Sequence, residues 1–145
     1  MQSIPWYLAA LGPAIVWGIH YPLVDAAMKR VSVYTVLLLS VLPIVMAMPL
    51  FMRQLGKDVD VILSLPTMDK WSILAVSITS TLGATFVYLA IDSKNATLAS
   101  LIEMTYPLFV VLFAWLIYRQ MHVTPSVLIG GLMILIGAGL IIYNS

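Results

Sequence analysis

The chain has 145 residues, 62% hydrophobic and 9% charged, with a formal net charge of +1 and a mean hydropathy of +1.05. A soluble domain carries about 25% charged residues, so these charges are too few to cover a water-facing surface, and the length allows one domain, 1–145. No basic patch exists to neutralise phosphates, which argues against nucleic acid as a partner, and the lack of cysteine excludes disulfides and thiolate metal sites.

A helix needs about 20 apolar residues to cross a hydrocarbon core of about 30 Å, and the charged residues divide the chain into five such runs. The first ends at Val24, before Asp25. No Lys or Arg precedes it and no small-residue cleavage site follows, so it is expected to stay rather than to be removed as a signal peptide. The second lies between Arg30 and Arg53, the third between Lys70 and Asp92, the fourth between Lys94 and Arg119, and the fifth follows Arg119 with His122 near its start. The expected fold is therefore all-α, an integral membrane bundle of five transmembrane helices over roughly 4–27, 32–52, 70–92, 96–118 and 124–143. The apolar runs are continuous and far longer than the roughly 11 residues of a barrel strand, which excludes an alternating β-barrel.

Local chemistry supports these borders. Ser3 with Pro5, Ser32, Asn95, and Thr124 with Pro125 stand where N-caps and first-turn prolines belong. Trp6, Tyr7, Tyr34, Trp71, Tyr118 and Tyr143 fall near span ends, where an aromatic belt is expected. Only the second connection reads as long, from Arg53 to Lys70, with Gly56, Pro66 and an interfacial turn around the segment VDVILSLP. An odd number of spans puts the termini on opposite sides. Arg53, Lys57, Lys70 and Arg119 then share the N-terminal side, and Lys29, Arg30 and Lys94 the other. A difference of one positive residue barely biases orientation, so a fixed N-inside protein and insertion in both orientations both stay open.

The order of several short stretches carries a resemblance. VWGIHYP in the first span, NATLASLIEM and YPLFVVLFAWLIYRQ through the fourth, and TPSVLIGGLMILIGAGLII in the last resemble the EamA-type domain of the drug/metabolite transporter superfamily over essentially the whole chain. The family is usually built of ten helices in two inverted five-helix repeats, and this chain resembles a single repeat. The resemblance implies a transporter of a small metabolite, amine or drug-like solute, working by alternating access as a dimer, antiparallel if ten helices are to be reproduced; proton coupling is a separate expectation that rests on the charge inside the fourth span, Glu103. It also implies that the partners are the bilayer of the cell (cytoplasmic or inner) membrane, a second copy or a paralogous half, and a small-molecule substrate. A non-transporting membrane subunit, or half of a heterodimeric lipid flippase, is the alternative. Where the family commonly has Gly-Glu after the fourth span, this sequence has Arg119-Gln120, so no role passes to that glutamate.

Several residues could carry chemistry. Glu103 lies eight residues past Asn95, about 12 Å along the helix at about 1.5 Å per residue. An ionisable group at that depth is a functional candidate by default, or else a hydrogen-bonded tie between helices. His20 falls at a similar depth in the first span, either paired with Glu103 or bonded to a backbone carbonyl. Ser77, Thr81, Thr85, Tyr88 and Asp92 share one face of the third span, as a packing surface or a solute-lining stripe. Trp17, Tyr21, Tyr106 and Trp115 could cage a cationic or planar solute, or serve as ordinary core or lipid-facing aromatics. Pro22 and Pro107 are expected to kink their helices. Gly130, Gly131, Gly137 and Gly139 form a close-packing seam for a dimer or for the fourth helix. No phosphate loop, paired metal-ligand spacing or nucleophile elbow is present, so neither an enzyme nor a metal or other cofactor is expected.

Overall fold

The computed structural model describes residues 5–119 and 124–144, with Trp6 and Tyr7 as backbone alone; Ser3, Gln120 and His122 lie outside the described residues. Six helices follow in chain order: α1 Trp6–Met28, α2 Val33–Ser64, α3 Thr67–Ser93, α4 Ala96–Glu103, α5 Tyr106–Tyr118 and α6 Pro125–Asn144. Among the described residues there is no strand.

The caps act at the residues whose chemistry calls for them. The Ser32 hydroxyl accepts from the Thr35 amide at 3.4 Å and opens α2. The Asn95 side chain accepts from the Leu98 amide at 2.9 Å and opens α4, so each meets one of the donors a helix start leaves unpaired. α3 starts behind Pro66 and α6 on Pro125.

α2 departs from the sequence reading. The long connection expected from Arg53 is instead helix as far as Ser64, and only Leu65 and Pro66 separate it from α3. The segment from Arg53 holds no residue that stops a helix. Gly56 costs about 1 kcal/mol, the Gln54 amide donates to Asp58 one turn on at 2.9 Å, and termination waits for Pro66. At 32 residues, α2 is about 48 Å long, well beyond a hydrocarbon core of about 30 Å, so its polar last turns extend past the apolar layer.

By length and composition, Val33–Ser64, Thr67–Ser93, Ala96–Tyr118 and Pro125–Asn144 can each cross a membrane. The first apolar run read from the sequence is the helix α1, Trp6–Met28. The molecule is a multi-pass helical membrane protein, and its surface is strongly apolar. Leu50 is 82% exposed, Leu38 75% and Ile44 73%. The total accessible surface is 11901 Å², against about 7,400 Å² for a compact soluble chain of this mass.

The main core cluster gathers at one end. Tyr21 and Val24 of α1, Val33 and Val36 of α2, Tyr88 and Ile91 of α3, and Ala96 and Ala99 of α4 are buried together. These are the residues flanking the two short turns, α1 to α2 and α3 to α4, so both turns lie at the same end. Asp25 ties them together, accepting from the Ala96 amide at 3.3 Å while pairing with Lys29 at 3.4 Å. α1 packs on α2, α3 and α4, and α6 reaches the group through α4. Lipid tails are as apolar as leucine, so no hydrophobic force closes the helices along the rest of their length.

Candidate functional site

The fourth apolar run is broken where its only charge sits. α4 ends at Glu103, Met104 and Thr105 form a turn, and α5 begins at Tyr106 with Pro107 in its first turn. Proline has no amide to offer the carbonyl four residues back, which is that of Glu103. Breaks of this kind are tolerated at membrane depth where they line a cavity. Pro13 and Pro22, by contrast, lie within an unbroken α1.

Beside the break lies a cavity of about 730 Å³ between α1, α3 and α4. Trp17 and Tyr21 line it from α1, Tyr88 from α3, Glu103 from α4 and Tyr106 from α5. The Tyr21 hydroxyl donates to Glu103 Oε2 at 2.5 Å. Trp17 leans on both its neighbours, edge-on to His20 with ring centroids 5.1 Å apart and tilted against Tyr21 at 5.3 Å.

His20 does not pair with Glu103. Its Nε2 lies 2.7 Å from the hydroxyl of Tyr88, which in turn lies 2.8 Å from Ser40 Oγ on α2. Ser40 donates its one hydroxyl proton to the Val36 carbonyl at 2.9 Å. The proton in the Ser40–Tyr88 bond therefore comes from Tyr88, and the one in the Tyr88–His20 bond from His20 Nε2. This count makes the neutral imidazole the Nε2–H tautomer. Tyr88 is only 2% exposed, so this chain holds α1, α2 and α3 together through a buried phenol. Ser40 carried no sequence signal, because one serine in an apolar helix reads as ordinary membrane packing.

The remaining sequence candidates divide. Ser77, Thr81 and Thr85 do not line the cavity; the Thr81 hydroxyl donates to the Ser77 carbonyl at 3.0 Å and Thr85 to the Thr81 carbonyl at 2.8 Å, each turned back on its own helix. α3 offers the cavity a neighbouring face instead, with Thr79, Ser80, Gly83, Ala84 and Val87. The signal for that face was its run of small residues at helical spacing. Trp115 does not line the cavity; it lies under the Arg119 guanidinium, 5.4 Å from ring centroid to Cζ. Of the four glycines in α6, Gly131 packs directly on the Leu108 side chain, while Gly130, Gly137 and Gly139 have open space where a Cβ would stand. Within one chain the seam narrows to Gly131 and the equally buried Ala138 one heptad on.

The fold and the site define a multi-pass helical membrane protein with a carboxyl-bearing cavity at a broken helix. The chain belongs to the EamA-like transporter family, whose profile matches residues 4–143. Comparison with curated proteins and with solved structures gives no match.

Proposed function

We propose that the protein carries a small solute across the cytoplasmic membrane by alternating access, with the cavity at Glu103 as the binding site and α1 as a fifth span. The observation that carries this reading is the placement of one carboxyl, held by Tyr21, on a cavity of about 730 Å³ at the break in the fourth span. A charge in that setting is costly unless it serves a ligand or a proton, and discontinuous helices put such groups at transport sites.

The working unit is a pair of copies, inverted relative to one another. The main core cluster sits at one end, and from Pro43 onward α2 presents an apolar groove of about 400 Å³ formed by its own residues, Ile44 and Phe51 among them. The near balance of positive residues between the two sides suits insertion in both orientations. Proton coupling runs through Glu103.

Reconstituted proteoliposomes test this with three labelled solutes: an amine, an amino acid and a neutral polyol. Saturable uptake of at least one is expected, responding to an imposed pH gradient in the wild type and no longer in Glu103→Gln. Gradient dependence that survives Glu103→Gln would remove the proton-coupling role. Uptake no greater than that of empty liposomes for all three would remove the transport reading.

A further inference from the structure

We infer that the solute accepted by this cavity is an organic cation, a protonated amine on an apolar or aromatic body, with Glu103 as its counter-charge; this inference rests on the reading of the cavity as a solute site. Among the residues lining the cavity, Glu103 is the one formally charged side chain, and no Lys, Arg or His accompanies it. Of the cations at that end, Lys29 is 74% exposed and pairs with Asp25, and Lys29, Arg30 and Lys94 all stand outside the cavity lining.

The two carboxyl oxygens differ. Oε2 accepts from Tyr21, whereas Oε1 makes no hydrogen bond among the described residues, and no side-chain oxygen lacking a partner is buried there. One oxygen is thus fixed by the protein and the other is open to a donor from the cavity. The walls suit the same ligand: Trp17 is 47% exposed and Tyr106 60%, and both line the cavity, with ring faces of the kind that attract cations.

Charge decides among ligand classes. An anion would enter a low-dielectric space containing a carboxylate and no compensating cation among the lining residues, which is repulsive. A neutral solute would displace water from the carboxylate without replacing its charge partner. A cation neutralises the one charge present and spreads its own over the aromatic faces. The hydroxyls of Ser80 and Ser100 supply further acceptors for an ammonium.

The test is a tryptophan-fluorescence titration of the purified full chain in a neutral detergent. Three probes of similar size are used: phenethylammonium, 2-phenylethanol and 3-phenylpropionate. Phenethylammonium is expected to saturate with a Kd at least tenfold below the other two; Glu103→Gln should abolish that preference and Glu103→Asp should keep it. Thermal unfolding of each variant establishes that it is folded. Equal or tighter binding of the alcohol or carboxylate, or a cation preference that persists in Glu103→Gln, would overturn the charge rule while leaving the cavity a solute site. Failure of all three probes to saturate the folded wild type would overturn the solute-site reading as well.

Discussion

The hydroxyl of Tyr21 donates to Oε2 of Glu103 at 2.5 Å, joining residues 82 positions apart. The bond ties the C-terminal third of α1 to the last residue of α4, so it both orients the carboxyl and closes one wall of the cavity. Interhelical side-chain bonds in membranes contribute about 1–2 kcal/mol at most, which sets the scale for its removal.

Tyr21→Phe keeps the buried ring and deletes only the donor. It should lower stability by about 1 kcal/mol in denaturant unfolding from mixed micelles and weaken solute binding. Tyr106→Phe, at a ring 60% exposed whose hydroxyl makes no hydrogen bond among the described residues, should change stability by less than about 0.5 kcal/mol. Equal losses for the two variants would contradict the geometry.

The relay from His20 through Tyr88 to Ser40 makes a spectroscopic prediction. Nitrogen NMR of labelled imidazole should show the Nε2–H tautomer of His20 in the wild type. In Ser40→Ala the Tyr88 proton has no acceptor on α2 and turns toward His20 Nε2, so the Nδ1–H tautomer should gain population. A double-mutant cycle for His20→Ala with Tyr88→Phe should show clear coupling, and more than His20→Ala with Glu103→Gln, because the two acid–base candidates sit in separate hydrogen-bond networks.

Gly131 and its neighbours separate close packing from mere small size. A Cβ on Gly131 overlaps the end of the Leu108 side chain, so Gly131→Ala should cost about 1 kcal/mol, relieved when Leu108→Ala is added. Gly139→Ala meets nothing within 4 Å and should be neutral or slightly stabilising, since alanine is the better helix former. Loss of dimer without loss of fold in Gly139→Ala would place that glycine at the interface between copies.

Arg119 closes α5 with φ 55° and ψ 25°, the left-handed region. A non-glycine residue there costs about 1–2 kcal/mol, partly offset by its guanidinium on Trp115. Arg119→Gly should leave stability level or raise it by about 1 kcal/mol, while Arg119→Val should lower it by about 1 kcal/mol or more, both read from thermal unfolding.

What the sequence disclosed follows from physics that is local. Ser32, Asn95 and Pro125 mark helix starts because capping involves neighbours within three residues, and Glu103 declares itself as a charge inside an apolar run. The partners of those groups are tertiary and were not legible. His20 and Glu103 count to the same depth, yet depth says nothing of azimuth, and each turns to a different tyrosine. α3 carries two stripes of small or hydroxylated residues; the stripe through Ser77, Thr81 and Thr85 satisfies itself on its own carbonyls, and the stripe through Ser80, Gly83 and Ala84 faces the cavity. The stretch from Arg53 to Ser64 reads as a connection because it is polar, but polarity outside the hydrocarbon does not stop a helix.

The central claim, that solute passes through the cavity beside Glu103, is tested most directly by filling it. Gly83 lines the cavity and has open space at its Cβ, whereas Gly56 has the same open space far from it on α2. Uptake into proteoliposomes should fall at least tenfold in Gly83→Leu and stay within twofold of wild type in Gly56→Leu, with both variants inserted and folded. Undiminished uptake by Gly83→Leu would contradict the account.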